Sequence, residues 1–190
     1  MYDKGVIDMA KAIDVANFFV DMANCDPDDC MTNLRVNKLL YFAQAWSLVR
    51  LGRPLFDEDI QAWTYGPVVP SVYQAFKACG RERIQSVFGD YSADVFSGDE
   101  LSLLLDVLNE YGKYTSPALV GITHKEGSPW REVFTPNANR VIGQEALRDY
   151  FRQETPLPAF DAAISEEGDY AGYRDADGYL VLPADMDDAE

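Results

Sequence analysis

The chain has 190 residues, 47% of them hydrophobic and 13% aromatic, which is enough for one domain with a real core and excludes wholesale disorder. Its 32 acidic residues against 16 basic ones leave a net charge of −16, a field that repels nucleic-acid phosphates. The same charge either favours basic partners or simply maintains solubility.

Ala12, Val15, Ala16, Phe19, Met22 and Ala23 recur at three- and four-residue steps and predict a helix from about Lys11 to Asn24. Asp26-Pro27-Asp28-Asp29 ends it in a loop. Thr32 is the expected N-cap of a second helix running to Leu51, with Gly52 beyond its end. Apolar residues from Val36 to Val49 wrap most of its circumference, which places it in the middle of the core. Gly52-Arg53-Pro54 turns the chain into a short extended segment containing Ile60, Ala62 and Trp63. Pro70 opens a third helix, which Gly80 closes. Arg81 to Phe96 is poorly periodic and reads as loop with a short strand.

Ser97-Gly98-Asp99-Glu100 has capping-box spacing and introduces a leucine stripe that stops at Gly112. Ser116-Pro117 and Ser128-Pro129 each pair a cap with a proline suited to a first helical turn. A last helix covers Gln144 to Arg152, and Pro156-Leu157-Pro158 punctuates its end. From Asp161 to Glu190 there are ten acidic residues and one basic residue, so about −9 of the charge sits there. The expected architecture is mainly α: one compact helical domain over residues 1–158 with a small extended or hairpin element, then an acidic extension over 159–190.

Cys25, Cys30 and Cys79 are odd in number and lack C-x-x-C spacing, so neither a disulfide framework nor a zinc knuckle is expected. No stretch reaches the ~18 apolar residues of a membrane span. Asp3, Asp8 and Asp14 interrupt the run that a signal peptide would need, so the expected location is the cytoplasm.

His124 is the only histidine, and no H-E-x-x-H, G-x-S-x-G or Cys-His signature accompanies it. Glu126 stands two positions on, which on a helix turns its side chain away. A structural histidine is expected, and no enzyme. Gly66, Gly80, Gly89 and Gly98 are scattered without a phosphate cradle, and Asp26, Asp28 and Asp29 lack the glycine and terminal glutamate of an EF-hand. No cofactor or metal is therefore expected. Tyr65-Gly66-Pro67 reads as turn punctuation, with Gly66 supplying a positive φ and Pro67 rigidifying the turn; a binding loop is the alternative. Lys38 lies on the buried second helix, where a lysine should find a carboxylate or snorkel outward. Its ammonium could anchor the Tyr65 turn or the His124 segment. Tyr179-Leu180-Val181-Leu182 is an apolar run within the acidic extension, read as docking back on the body or adding to a partner's sheet edge.

Several ordered blocks carry a family likeness. They are Val15-Ala16-Asn17-Phe18-Phe19, Asn37 through Gln44, Leu55-Phe56, Ile60 through Pro70, Val72-Tyr73, Thr123 through Trp130, and Asp149-Tyr150-Phe151. Together they resemble the Panacea domain, the module of antitoxins and proteolytic adaptors. The likeness spans roughly Ala12 to Phe151, with Arg35-Val36 where the family usually has lysine-leucine. It implies a small mainly helical domain that binds a protein partner directly, without a cofactor, and it names no active site. Lys38, Tyr41, Gln44, Trp63, Tyr65, Gly66, Pro67, Val68, His124 and Trp130 are accordingly framework or partner-interface positions. The implied function is neutralisation of a protein toxin encoded by a neighbouring gene, in bacteria or their prophages. A bacterial AAA+ protease is a further partner where the adaptor role applies. Direct nucleic-acid and membrane binding are not expected. The alternative is a phage-encoded acidic decoy that occupies a host nucleic-acid-binding protein.

Overall fold

The Thr32 hydroxyl accepts the Arg35 N–H at 3.2 Å and starts the helix around which the rest of the chain is built. A computed structural model describes residues 9–25 and 30–158, together with the backbone at 173–174 and 180–181. The Asp26–Asp29 loop lies outside the described residues. Helix α1 spans Ala12–Asn24 and α2 spans Asn33–Arg50. Strands β1 (Gln61–Trp63) and β2 (Gly66–Val68) form a hairpin. Helices α3 (Pro70–Ala75), α4 (Gly98–Tyr111), α5 (Ser116–Thr123), α6 (Pro129–Val133) and α7 (Gln144–Phe151) follow. The fold is mainly α, as the sequence pattern predicts.

Fifteen of the eighteen α2 residues are buried, so this helix needs a neighbour on every side. It packs against α1, α3, α4, α5, α7 and β2. Phe42 stacks on Tyr111 of α4 with centroids 3.8 Å apart, and Phe151 of α7 meets Tyr41, Phe42 and Trp46 edge-on.

The buried polar residues of α2 explain how irregular backbone can lie against so apolar a helix. Ser47 donates to the Arg53 carbonyl at 2.8 Å. Gln44 accepts from the Leu55 and Phe56 N–H groups and donates to the Phe56 carbonyl. Lys38 donates to Pro67, Asn37 accepts from Val69 N–H, and Asn33 donates to Tyr73. Partner numbers rise from 53 to 73 as helix positions fall from 47 to 33. The segment therefore runs antiparallel along α2, with one side chain after another satisfying backbone groups that water cannot reach. This ladder fixes where the hairpin sits.

Local signals account for most boundaries. The Ser97–Glu100 capping box is formed in both directions, and Glu100 also accepts from Arg53 at 2.8 Å. Burial pushes the Glu100 carboxyl up, but bonds from Ser97 and Arg53 outweigh it and hold the group below its usual value. Ser97→Ala should lower stability by about 1–2 kcal/mol, read as a shifted urea midpoint with unchanged slope.

Three local expectations are corrected. Thr115, not Ser116, caps α5, which places Ser116 and Pro117 inside the first turn. Arg81 to Phe96 contains a 3₁₀ turn at Ala93–Val95 and no strand. Gly66 and Pro67 belong to β2, and the hairpin turn is Thr64-Tyr65. Pro67 is tolerated in a strand because its missing N–H costs this two-stranded sheet no further neighbour.

Residues 159–190 group as a separate unit. Within it, β3 (Tyr173–Arg174) pairs antiparallel with β4 (Leu180–Val181). Tyr179 and Leu182 of the apolar run lie outside the described residues.

Candidate functional site

The middle of α2 presents Lys38 to the hairpin. The side chain is fully buried, and its Nζ donates to the Pro67 carbonyl at 2.9 Å. Contrary to the sequence expectation, it neither meets a carboxylate nor snorkels outward. The reason is geometric: β2 presents a backbone carbonyl to the ammonium, and among the described residues no carboxylate pairs with it. It does anchor the hairpin. Burial pulls the ammonium down from 10.5 to about 7, so near neutrality the protein holds this lysine partly uncharged.

Gly66 makes the close approach possible. Its φ is +100°, and a β-carbon there would lie 2.7 Å from Lys38 Cε and 3.0 Å from Thr123 Oγ1. The end of α5 thus closes over the same point. His124, its C-cap, stacks face to face on Trp130 with centroids 3.6 Å apart and 5° between planes. Phe134 stacks on Trp130 at 4.5 Å. Burial, with the Lys38 and Arg131 charges, pushes the imidazole below its ordinary 6.5, which favours the neutral ring. Among the described residues no carboxylate or nucleophile bonds to this imidazole, and its Nε2 is buried without a partner. The surroundings are those of a stacked framework ring.

Trp130 Nε1 donates to the Trp63 carbonyl at 2.9 Å, tying α6 to β1. Trp130→Phe keeps the ring stack and removes that bond. It should lower stability by about 1–2 kcal/mol without disturbing helix content, checked by chemical unfolding and far-ultraviolet circular dichroism.

Lys38, Trp63, Gly66, Pro67, His124 and Trp130 are therefore brought into one neighbourhood. Tyr41 and Gln44 are not. Tyr41 sits among Phe42 and Phe151, with burial pushing its phenol well up, and Gln44 holds the Leu55-Phe56 turn.

Beside this anchor a groove of about 640 Å³ opens to the surface. It is lined by Thr32, Asn33 and Asn37 from the start of α2 and by Trp63, Tyr65 and Val68 of the hairpin. Tyr73 also lines it, its ring edge-on to Trp63 at 5.0 Å. Tyr65, at the turn, is 70% exposed. Lys77 and Arg81, Ser116 and Pro117 at the α5 start, and Asn137 and Asn139 complete the lining. Asn137 and Asn139 both have positive φ, a conformation that asparagine accepts more readily than most residues.

Thr32, Lys77, Arg81, Asn137 and Asn139 were not foreseen as site residues. Only their convergence from three chain segments marks them, and no spacing in the sequence encodes it. The described residues hold no group of three side chains suited to a metal ion, and their cysteines are free. No described helix is long and apolar enough to cross a membrane.

The family described as antitoxin SocA-like, Panacea domain, matches residues 36–131, which run from α2 to α6. Antitoxin SocA of Caulobacter vibrioides (strain NA1000 / CB15N) is 32% identical over 154 residues, spanning 73% of this chain and 80% of that protein. No solved structure matches the chain.

Proposed function

This chain belongs to the SocA-like Panacea family, and from that membership we propose that it is the antitoxin of a toxin–antitoxin pair. It acts by covering a protein toxin, encoded by an adjacent gene, without making or breaking covalent bonds. The observation that carries this reading is the likeness to antitoxin SocA over most of both chains. The structure is compatible with it: α2 and the segment it holds make a preformed body that can bind without first ordering itself. The overall negative charge suits a toxin with a basic surface. We assign neutralisation to residues 1–158 and treat 159–190 as an extension.

Coexpression with the neighbouring gene tests the proposal. Growth rescue together with copurification of the two proteins is expected. Absence of both would overturn it. A chain truncated after Pro158 should still rescue growth, and loss of rescue by a truncated chain that remains folded would move the activity into the extension. Shortened toxin lifetime in cells that contain an AAA+ protease, reversed on removing that protease, would add the adaptor role.

A further inference from the structure

The groove beside the hairpin carries a charge opposite to that of the chain as a whole. Although the protein bears −16, none of the described residues lining the groove is aspartate or glutamate, and two of them are Lys77 and Arg81. Both are exposed, and neither forms an ion pair among the described residues. The first turns of α2 and α5 border the same space, and their N–H groups add positive potential to that of the two cations. The same lining includes three aromatic rings, Trp63, Tyr65 and Tyr73.

We infer that this groove is a docking site for an acidic linear segment of a partner protein, with one aromatic or aliphatic anchor between its carboxylates. The volume lies within the ~300–1,000 Å³ typical of sites that enclose a small ligand, and so suffices for an anchor side chain. The groove is open rather than closed over, which lets a chain pass through. Three of its lining residues are held by the bonds of Asn33 to Tyr73 and of Val69 N–H to Asn37, so binding spends little on ordering the site. A peptide brings a few carboxylates to two cations. A nucleic acid would bring a row of phosphates against the acidic surface outside the groove, which is why the peptide is favoured. This inference concerns what the groove takes and does not depend on the toxin-binding reading.

The test uses the full chain and a fluorescein-labelled heptapeptide, Gly-Asp-Glu-Trp-Glu-Asp-Gly, followed by fluorescence anisotropy. Saturable binding is expected, weakening as salt is raised. Lys77→Glu with Arg81→Glu, and separately Tyr65→Ala, should each weaken it about tenfold, since exposed charges and an exposed ring are removed without touching the core. The same peptide with lysines in place of its acids should not bind. No saturable binding, equal binding of the lysine peptide, or unchanged affinity in the folded variants would overturn the inference. So would tighter binding of a single-stranded RNA heptamer, which would make the groove a nucleic-acid site. Growth rescue by the same variants is scored separately, so failure here leaves the antitoxin proposal standing.

Discussion

Gly66→Ala is expected to cost about 2–6 kcal/mol and to lower the melting temperature by roughly 10 °C. Two effects combine. At φ +100° an L-residue is strained by about 1–3 kcal/mol. The added methyl would also sit 2.7 Å from Lys38 Cε and 3.0 Å from both Lys38 Nζ and Thr123 Oγ1, an overpacking worth about 1–3 kcal/mol more. Lys38 cannot swing away cheaply, because it is fully buried and its Nζ holds the Pro67 carbonyl. Gly80→Ala is the control: its φ is +58°, but nothing lies within 4 Å of the new methyl. It should lose about 1–3 kcal/mol, the backbone part of the cost, because its ψ of −115° lies outside the left-handed helical region that other residues tolerate. Thermal unfolding of the two variants side by side separates strain from crowding. Equal losses would show that the space over Gly66 is not filled as described.

The second large effect is a pH dependence carried by Lys38. Its folded value of about 7 lies below the ordinary 10.5. Between those values the unfolded chain binds a proton that the folded one does not, so stability rises with pH across this window. The slope approaches 1.4 kcal/mol per pH unit, or about 2 kcal/mol between pH 7.5 and 9. Below pH 7 both states are protonated, and the full penalty of a buried ammonium is present. Tyr41 works in the opposite sense, because burial raises its phenol above 10 and its contribution is lost only in stronger alkali.

Lys38→Met removes the titration while keeping most of the side-chain volume. Wild-type stability minus that of the variant should therefore increase from pH 7.5 to 9, and other groups cancel in the difference. At pH 9 the variant should be less stable by about 1–3 kcal/mol, since the Pro67 carbonyl is left buried without a donor. Near pH 6 the deficit should shrink or reverse, because the wild type then carries a desolvated charge. Parallel curves for the two proteins would mean that Lys38 is solvated in solution. Urea unfolding at a series of pH values measures this directly.

Both effects arise where the sequence was only partly legible. Gly66 could be assigned a positive φ from composition alone, because it precedes a proline in a short punctuated run. That it stands in a strand under Lys38, and not in the turn, depends on a hairpin register set by long-range contacts. Lys38 was conspicuous as a cation in an apolar helix. Its partner could not be deduced, since a backbone carbonyl leaves no mark in the residue pattern. The groove shows the same limit more strongly: Thr32, Trp63, Lys77, Arg81 and Asn137 come from separate stretches of the chain and meet only in the folded protein.

The amino-acid order by itself determined the helical class, the central place of α2 and most helix starts. Those properties rest on periodicity and on caps such as Thr32, Ser97 and Ser128, which act within one turn of the chain. Tertiary structure alone decided the uncharged tendency of Lys38, the stacked ring of His124 and the positive groove on an acidic molecule. Desolvation and electrostatic potential are sums over neighbours far apart in sequence, so no local pattern can carry them.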